Sequence, residues 1–163
     1  MVAAVNLLKG IGRCAGMDCP EVSGATGTLH TNYDGKAAAA INAFKNGVDF
    51  VFIHVEAPDE CAHTGDLDGK IKSLELIDEK IFGPVADFLV NCGEPYRVLV
   101  MPDHMTPMEI RTHSREPVPF VMYDSRNKRT YDDAKNFSEA CGARGRFFDN
   151  GGDLADYFFI IKP

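Results

Sequence analysis

"DFVFIHVEAPDECAHTGD", residues Asp49 to Asp66, is the stretch on which the reading of the fold turns. Its first half, Phe50 to Val55, is almost continuously apolar apart from His54. Such a run is expected of a strand covered on both faces. Its second half gathers Glu56, Asp59, Glu60 and Asp66 around Cys61 and His63. A strand that ends in hard oxygen donors and an imidazole fits an α/β domain, where functional groups collect beyond the carboxyl ends of strands. Asp59 and His63 are four positions apart, so one helical turn would set both on the same side.

Working outward, apolar runs alternate with helix-like segments. Residues 3–15 read as a helix with Val5, Leu8 and Ile11 or Gly12 on one face, ended by Gly16. "KAAAAINAFKNG" (Lys36–Gly47) reads as a second helix with Gly47 as its C-terminal cap. From Gly65 to Gly93, Leu67, Ile71, Leu74, Ile77 or Asp78, Ile81, Val85 and Phe88 recur at helical spacing; Asp66 can cap the start and Gly83-Pro84 can kink the run. "YRVLVMPD" and "VPFVMYD" are two further strands. A helix is expected within Tyr131–Ala143 and a closing one over Asp153–Ile161. The alternation predicts an α/β fold, a three-layer αβα domain around a mainly parallel sheet.

At 163 residues and 45% hydrophobic, the chain is expected to form a single domain, residues 1–163. A net charge of −7 spread along the length argues against nucleic acid or an anionic membrane as partner. No apolar run approaches the roughly 20 residues that span a bilayer, and no signal peptide is legible, so a cytoplasmic location is expected. Five cysteines, odd in number and without a CxxC pair, read as reduced thiols rather than a disulfide or zinc framework.

A second polar cluster follows the second strand. "MPDHMTP" (Met101–Pro107) supplies Asp103 and His104, and His113 sits in "RTHSREPVPF" shortly before the third strand. Adjacent Asp103 and His104 would point apart in a regular strand and can share a ligand only on a sharp turn, for which Pro102 provides the break. Carboxylates and imidazoles together suit manganese, zinc or iron better than calcium. Each group taken alone reads as a cap or loop residue; two strand exits carrying both donor types favour a metal site. His54 reads as a packed core histidine, and His30 as a loop residue.

Five segments in order, "NLLKGIGRCAGM", "GATGTLHTNYDGKA", "HVEAPDECAHTGD", "MPDHMTP" and "THSREPVPF", resemble the C-terminal part of the archaeal-type cofactor-independent phosphoglycerate mutases. That family belongs to the alkaline phosphatase superfamily and includes relatives described as homoserine kinase-like. The resemblance covers nearly the whole chain. It implies an alkaline-phosphatase-like core lacking its N-terminal portion, with two divalent ions (Mn, Zn or Mg) in the full-length parent. Asp59, His63 and His113 would be the three ligands of one ion, and Asp103 and His104 two ligands of the other. It also implies interconversion of 3-phosphoglycerate and 2-phosphoglycerate through a phosphoserine, hence a phosphoglycerate-type small molecule as partner. Lys9, in "LLKGIG", matches a lysine that contacts the substrate phosphate, with a solvated helix lysine as the plain alternative.

The chain departs from the family pattern as well. The nucleophilic serine, the opening aspartate and the cap domain have no counterpart here, and His30 stands where the family has aspartate. The resemblance therefore implies that Met1 falls inside the catalytic domain and that these residues alone hold metal weakly and do not turn over. An exposed sheet edge would then invite homodimerisation. Glu56 and Asp66 are candidate hydrogen-bond partners for His63. Thr64 and Gly65 would shape the following loop, Cys61 reads as packing and Glu60 as solvated. A homoserine kinase-like phosphotransferase and a non-catalytic binding module remain the alternatives.

Overall fold

The computed structural model describes residues 1–127 and 136–159. The start of the helix expected from Tyr131, and Ile160 and Ile161 of the closing helix, lie outside these residues. The chain divides into two compact units, Met1–Gly93 with Thr106–Thr112, and Glu94–Met105 with His113–Pro163.

The first unit is helical. It contains α1 (Asn6–Cys14), α2 (Tyr33–Lys45), α3 (Ala57–Thr64), α4 (Leu67–Ile77), a π-helical turn (Asp78–Phe82) and α5 (Gly83–Asn91). Asn32 caps α2 by accepting from the Gly35 amide, and Asp66 caps α4 by accepting from the Gly69 amide. At the end of α2, Gly47 adopts φ +83°; its amide donates to Phe44 O and that of Val48 to Ala43 O. That pair of bonds closes the helix, and the backbone it needs is one glycine adopts cheaply. The predicted kink is a wide turn, in which the Gly83 amide reaches back to Asp78 O and carries the chain past Pro84, which has no amide to donate.

The core of this unit is built from small side chains. Ala40, Ala57 and Ala62 are fully buried, with Val2, Ala3, Tyr33, Ala37, Cys61, Ile81 and Leu89 around them. Phe44 of α2 stacks on Phe88 of α5 at 6.2 Å. The face of α4 that packs is Gly69 and Ser73, while Leu67, Ile71 and Leu74 of the expected apolar stripe are about half exposed. Likewise α1 buries Lys9 and Gly12 and leaves Ile11 outward. Side chains fill the space that a Cβ would need at both glycines: Met1 and Cys19 lie over Gly12, and Asp66 and Cys61 over Gly69.

The apolar run Phe50–Val55 forms a single parallel rung. Ile53 pairs with Val2: the Val2 amide donates to Phe52 O, and the His54 amide to Val2 O. Phe52 is 41% exposed, so the run is not covered on both faces as expected.

The second unit carries β1 (Arg97–Val100) and β2 (Val121–Asp124), paired antiparallel with Arg97 opposite Asp124 and Val100 opposite Val121, followed by α6 (Glu139–Gly142) and α7 (Gly151–Phe159). The α/β class holds. The sheet among the described residues is this antiparallel pair, because the chain between the strands turns back on itself instead of crossing over through a helix. Asn150 caps α7, accepting from the Asp153 amide and donating to the Asp153 carboxylate. Phe120, Phe148 and Tyr157 form an aromatic cluster, with the Arg146 guanidinium 4.4 Å from the Tyr157 ring centre. No helix among the described residues is long and apolar enough to cross a membrane.

The ladder is pinned at one end by charge. Arg97 donates to Asp124 at 2.6 Å and to Phe158 O of α7 at 2.7 Å, while Arg126 grips the same carboxylate at 2.9 and 3.0 Å. The hydrogen bonds from Arg126 and Arg97 hold the Asp124 carboxyl far below the usual carboxylate range, against the effect of burial. An unfolded aspartate takes up its proton near about pH 3.9. The contribution of Asp124 is therefore full above that pH and is lost as pH falls through it toward the lower folded value. The urea midpoint of the chain is expected to fall more steeply from about pH 7 to about pH 3 than that of Asp124→Asn. Parallel curves would show that the carboxylate contributes nothing.

Candidate metal centre

In the first unit the stretch Glu56–Asp66 is mostly helix. Pro58 sits in the first turn of α3, where its missing amide costs nothing, and Asp59 and His63 lie one turn apart. His63 Nε2 is 3.2 Å from Asp59 Oδ2. Both side chains are partly exposed, as a site reached by a ligand must be.

Each side chain is held at its other end. His63 Nδ1 is 2.9 Å from the Arg111 carbonyl oxygen. A carbonyl only accepts, so Nδ1 carries the hydrogen; Nε2 faces the Asp59 carboxylate, to which it donates when the ring is protonated and beside which it would take an ion in place of that proton. This hydrogen bond raises the His63 pKa; burial opposes the rise and the Asp59 charge adds to it. Asp59 Oδ1 accepts from the Thr106 hydroxyl at 2.5 Å, and the Thr106 carbonyl in turn accepts from Lys70 Nζ at 2.8 Å. An imidazole anchored through one nitrogen and a carboxylate anchored through one oxygen form the arrangement that orients metal ligands. The donor set, oxygen and imidazole nitrogen together, fits a divalent transition ion.

At Nδ1 the partner of His63 is thus the Arg111 carbonyl rather than a Glu56 or Asp66 carboxylate. Asp66 is occupied as the cap of α4, and the Glu56 carboxylate lies over Gly27, where a Cβ would collide with it. Cys61 packs as expected: it is buried, and that burial pushes its thiol pKa up. Thr106 and Arg111 escaped the sequence reading. Thr106 lies within a motif already quoted, but Arg111 acts through its backbone, which no residue type advertises.

The chain is strained where it makes this contact. Arg111 has φ +52°, a left-handed conformation uncommon outside glycine, and its guanidinium lies against Gly65. Gly65 itself ends α3 at φ +76°, with its amide on Ala62 O and the Asp66 amide on Cys61 O. A Cβ at Gly65 would lie 2.5–2.7 Å from the Arg111 guanidinium.

In the second unit Asp103 and His104 fall on the bend beyond β1, with carboxylate and imidazole 3.6 Å apart. The turn after Pro102 thus does bring neighbouring side chains to one side. The His104 and His113 rings lie 3.8 Å apart, beside the antiparallel bridge of Met105 with Ser114. Lys9 is buried on α1, with its ammonium 2.7 Å from Glu21, so it is no solvated helix lysine. His54 is half-buried and sits on the rung with Val2, with its own amide in the ladder.

Paired carboxylate–imidazole groups on a helix and on a strand exit offer the donor set of a divalent-metal protein. The chain is a member of the Metalloenzyme superfamily, which it matches over residues 1–161. It is 50% identical over 145 residues to the 2,3-bisphosphoglycerate-independent phosphoglycerate mutase of Methanosarcina barkeri, a match covering 89% of this chain and 36% of that protein. It is 54% identical over 125 residues to the enzyme of the same name from Methanothrix thermoacetophila, covering 77% of this chain and 32% of that one. The chain thus spans about a third of the length of these curated relatives. The solved structure of the PH0037 protein from Pyrococcus horikoshii is 34% identical, with a TM-score of 0.78, over 88% of this chain and 42% of that one.

Gly65→Ala is expected to destabilise the first unit by about 1–2 kcal/mol, from the left-handed backbone alone. By displacing Arg111 it should also move the His63 imidazole resonances. Urea unfolding and imidazole nitrogen NMR measure the two effects.

Proposed function

We propose that this chain carries the metal-binding part of a cofactor-independent phosphoglycerate mutase, interconverting 3-phosphoglycerate and 2-phosphoglycerate in a protein of the relatives' length. The observation that carries it is the Asp59–His63 pair, each member anchored at its far atom by Thr106 or Arg111. The names of the relatives and the ordered series of five motifs support the same reading.

In this reading Asp59, His63 and His113 hold one divalent ion, manganese, zinc or magnesium, and Asp103 and His104 contribute to a second. His113 follows Arg111, the residue that anchors His63, by two positions. Bound ions would neutralise phosphoryl charge and lower the pKa of a serine nucleophile, to which this chain contributes none. The task of the chain itself is positional. α3 holds the carboxylate and imidazole one turn apart, the Arg111 carbonyl fixes the tautomer, and the Thr106 hydroxyl fixes the rotation of the carboxylate. Lys9, already buried with its charge on Glu21, would exchange that carboxylate for the substrate phosphate.

Around this centre the finer fold reading is a parallel sheet of which Val2–Ile53 is one rung, completed in the longer protein, with residues 1–163 as part of one catalytic domain. The 163 residues by themselves would bind metal weakly, would not turn over, and would self-associate through an uncovered strand edge.

Purified protein of the relatives' length is expected to convert 3-phosphoglycerate to 2-phosphoglycerate and to lose activity to a chelator. Asp59→Asn and His63→Ala should each lower kcat/KM at least about a hundredfold. Turnover that survives both chelation and His63→Ala would remove the reading, and turnover of homoserine with a nucleotide in place of phosphoglycerate would replace the substrate. For the 163 residues alone, calorimetric titration with Mn²⁺ should show weak heat at most; tight binding would contradict the expected incompleteness.

A further inference from the structure

Of the buried charged groups that the metal reading leaves unused, Lys36 is the most specifically placed. It lies near the start of α2, a helix that carries none of the proposed ligands, and is 1% exposed. Its ammonium donates to the His54 carbonyl at 3.0 Å. Burial lowers its pKa, while the Glu56 carboxylate favours its charged form and Lys9 opposes it. Burying an ammonium is costly, so its partner merits scrutiny.

The partner is an unusual one. In the parallel rung of Val2 with Ile53, the Val2 amide takes Phe52 O and the His54 amide takes Val2 O. Continued by one step, the same ladder would place the Ala4 amide on His54 O. Lys36 donates to that acceptor instead, and the pairing of Val2 with Ile53 is a single rung. Three residues after His54, α3 begins, and Asp59 and His63 follow within its first two turns.

We propose that Lys36 is a positioning residue for the metal-ligand helix: by taking the His54 carbonyl it ends the strand pairing and fixes the direction in which α3 leaves. This rests on the reading of Asp59 and His63 as metal ligands. The side chain acts through the backbone of residues 54–56 and touches neither ligand. A lysine suits the position because its long apolar stem can be buried while a single terminal donor reaches the carbonyl.

The test is imidazole nitrogen NMR of His63 in the metal-free chain, at a pH where the ring is neutral, for wild type, Lys36→Met and Lys36→Arg. Circular dichroism checks that each variant is folded. Lys36→Met is expected to move the His63 Nδ1 and Nε2 resonances, as the ring shifts from the Arg111 carbonyl. Lys36→Arg, which keeps charge and donor, is expected to restore them. A folded Lys36→Met with wild-type His63 resonances overturns the proposal. So does a folded Lys36→Arg with displaced ones, whether or not the methionine variant folds; if that variant is unfolded, wild-type resonances in Lys36→Arg support it. Mn²⁺ added to wild-type protein of the relatives' length, in which the ligand set would be complete, reads the metal assignment separately. Failure to broaden the His63 signals would remove the metal reading while leaving the effect of Lys36 on the ring intact.

Discussion

The hydrogen bond from His63 Nδ1 to the Arg111 carbonyl, 2.9 Å long, is the contact on which the site depends. It fixes which ring nitrogen carries hydrogen, and so which one faces Asp59. It requires Arg111 to hold a left-handed backbone, and it requires the guanidinium of that residue to pass over a position without a Cβ. Gly65 meets that second demand and, in the same conformation, ends the helix that carries Asp59 and His63. One glycine thus terminates α3 and makes room for the segment that orients its histidine. Strain at Arg111 is tolerated because neighbouring contacts over-determine it, which is where such strain usually marks function.

The first unit supports this arrangement with few large side chains. Fully buried alanines on α2 and α3, with Gly69 and Ser73 on α4, make up much of what it buries. In such a core the polar contacts carry much of the specificity. Lys70 holds the Thr106 carbonyl, Thr106 holds Asp59, Lys36 holds His54 O and Lys9 holds Glu21. Three of these cations sit against backbone carbonyls or a carboxylate at positions that sequence would assign to solvent. The second unit uses the same device at Asp124, where two guanidinium groups tie a strand end to a turn and to the C-terminal end of α7.

Much of the secondary structure was legible in the sequence because its signals are local. Asp66 as a cap, Gly16 and Gly47 as helix ends, and the strands at Arg97–Val100 and Val121–Asp124 each follow from a few neighbouring residues. The apolar run before Glu56 misled, since a strand is a relation between segments and this one finds a single rung on Val2. The hydrophobic stripe of α4 misled as well. Periodicity reports which residues could share a face, and the structure buries the face that carries Gly69 and Ser73.

By itself the sequence supplied the candidate donors: Asp59 and His63 at helical spacing, and Asp103, His104 and His113 near a strand exit, all within motifs that resemble one metalloenzyme family. The chemistry of a carboxylate or an imidazole belongs to the residue and needs no fold to be read. The tertiary structure alone decided what holds those donors. The anchors of His63 and Asp59 are a carbonyl 48 residues away and a hydroxyl 47 residues away. A backbone carbonyl is the same at every position of the chain. Its role comes only from where the fold places it.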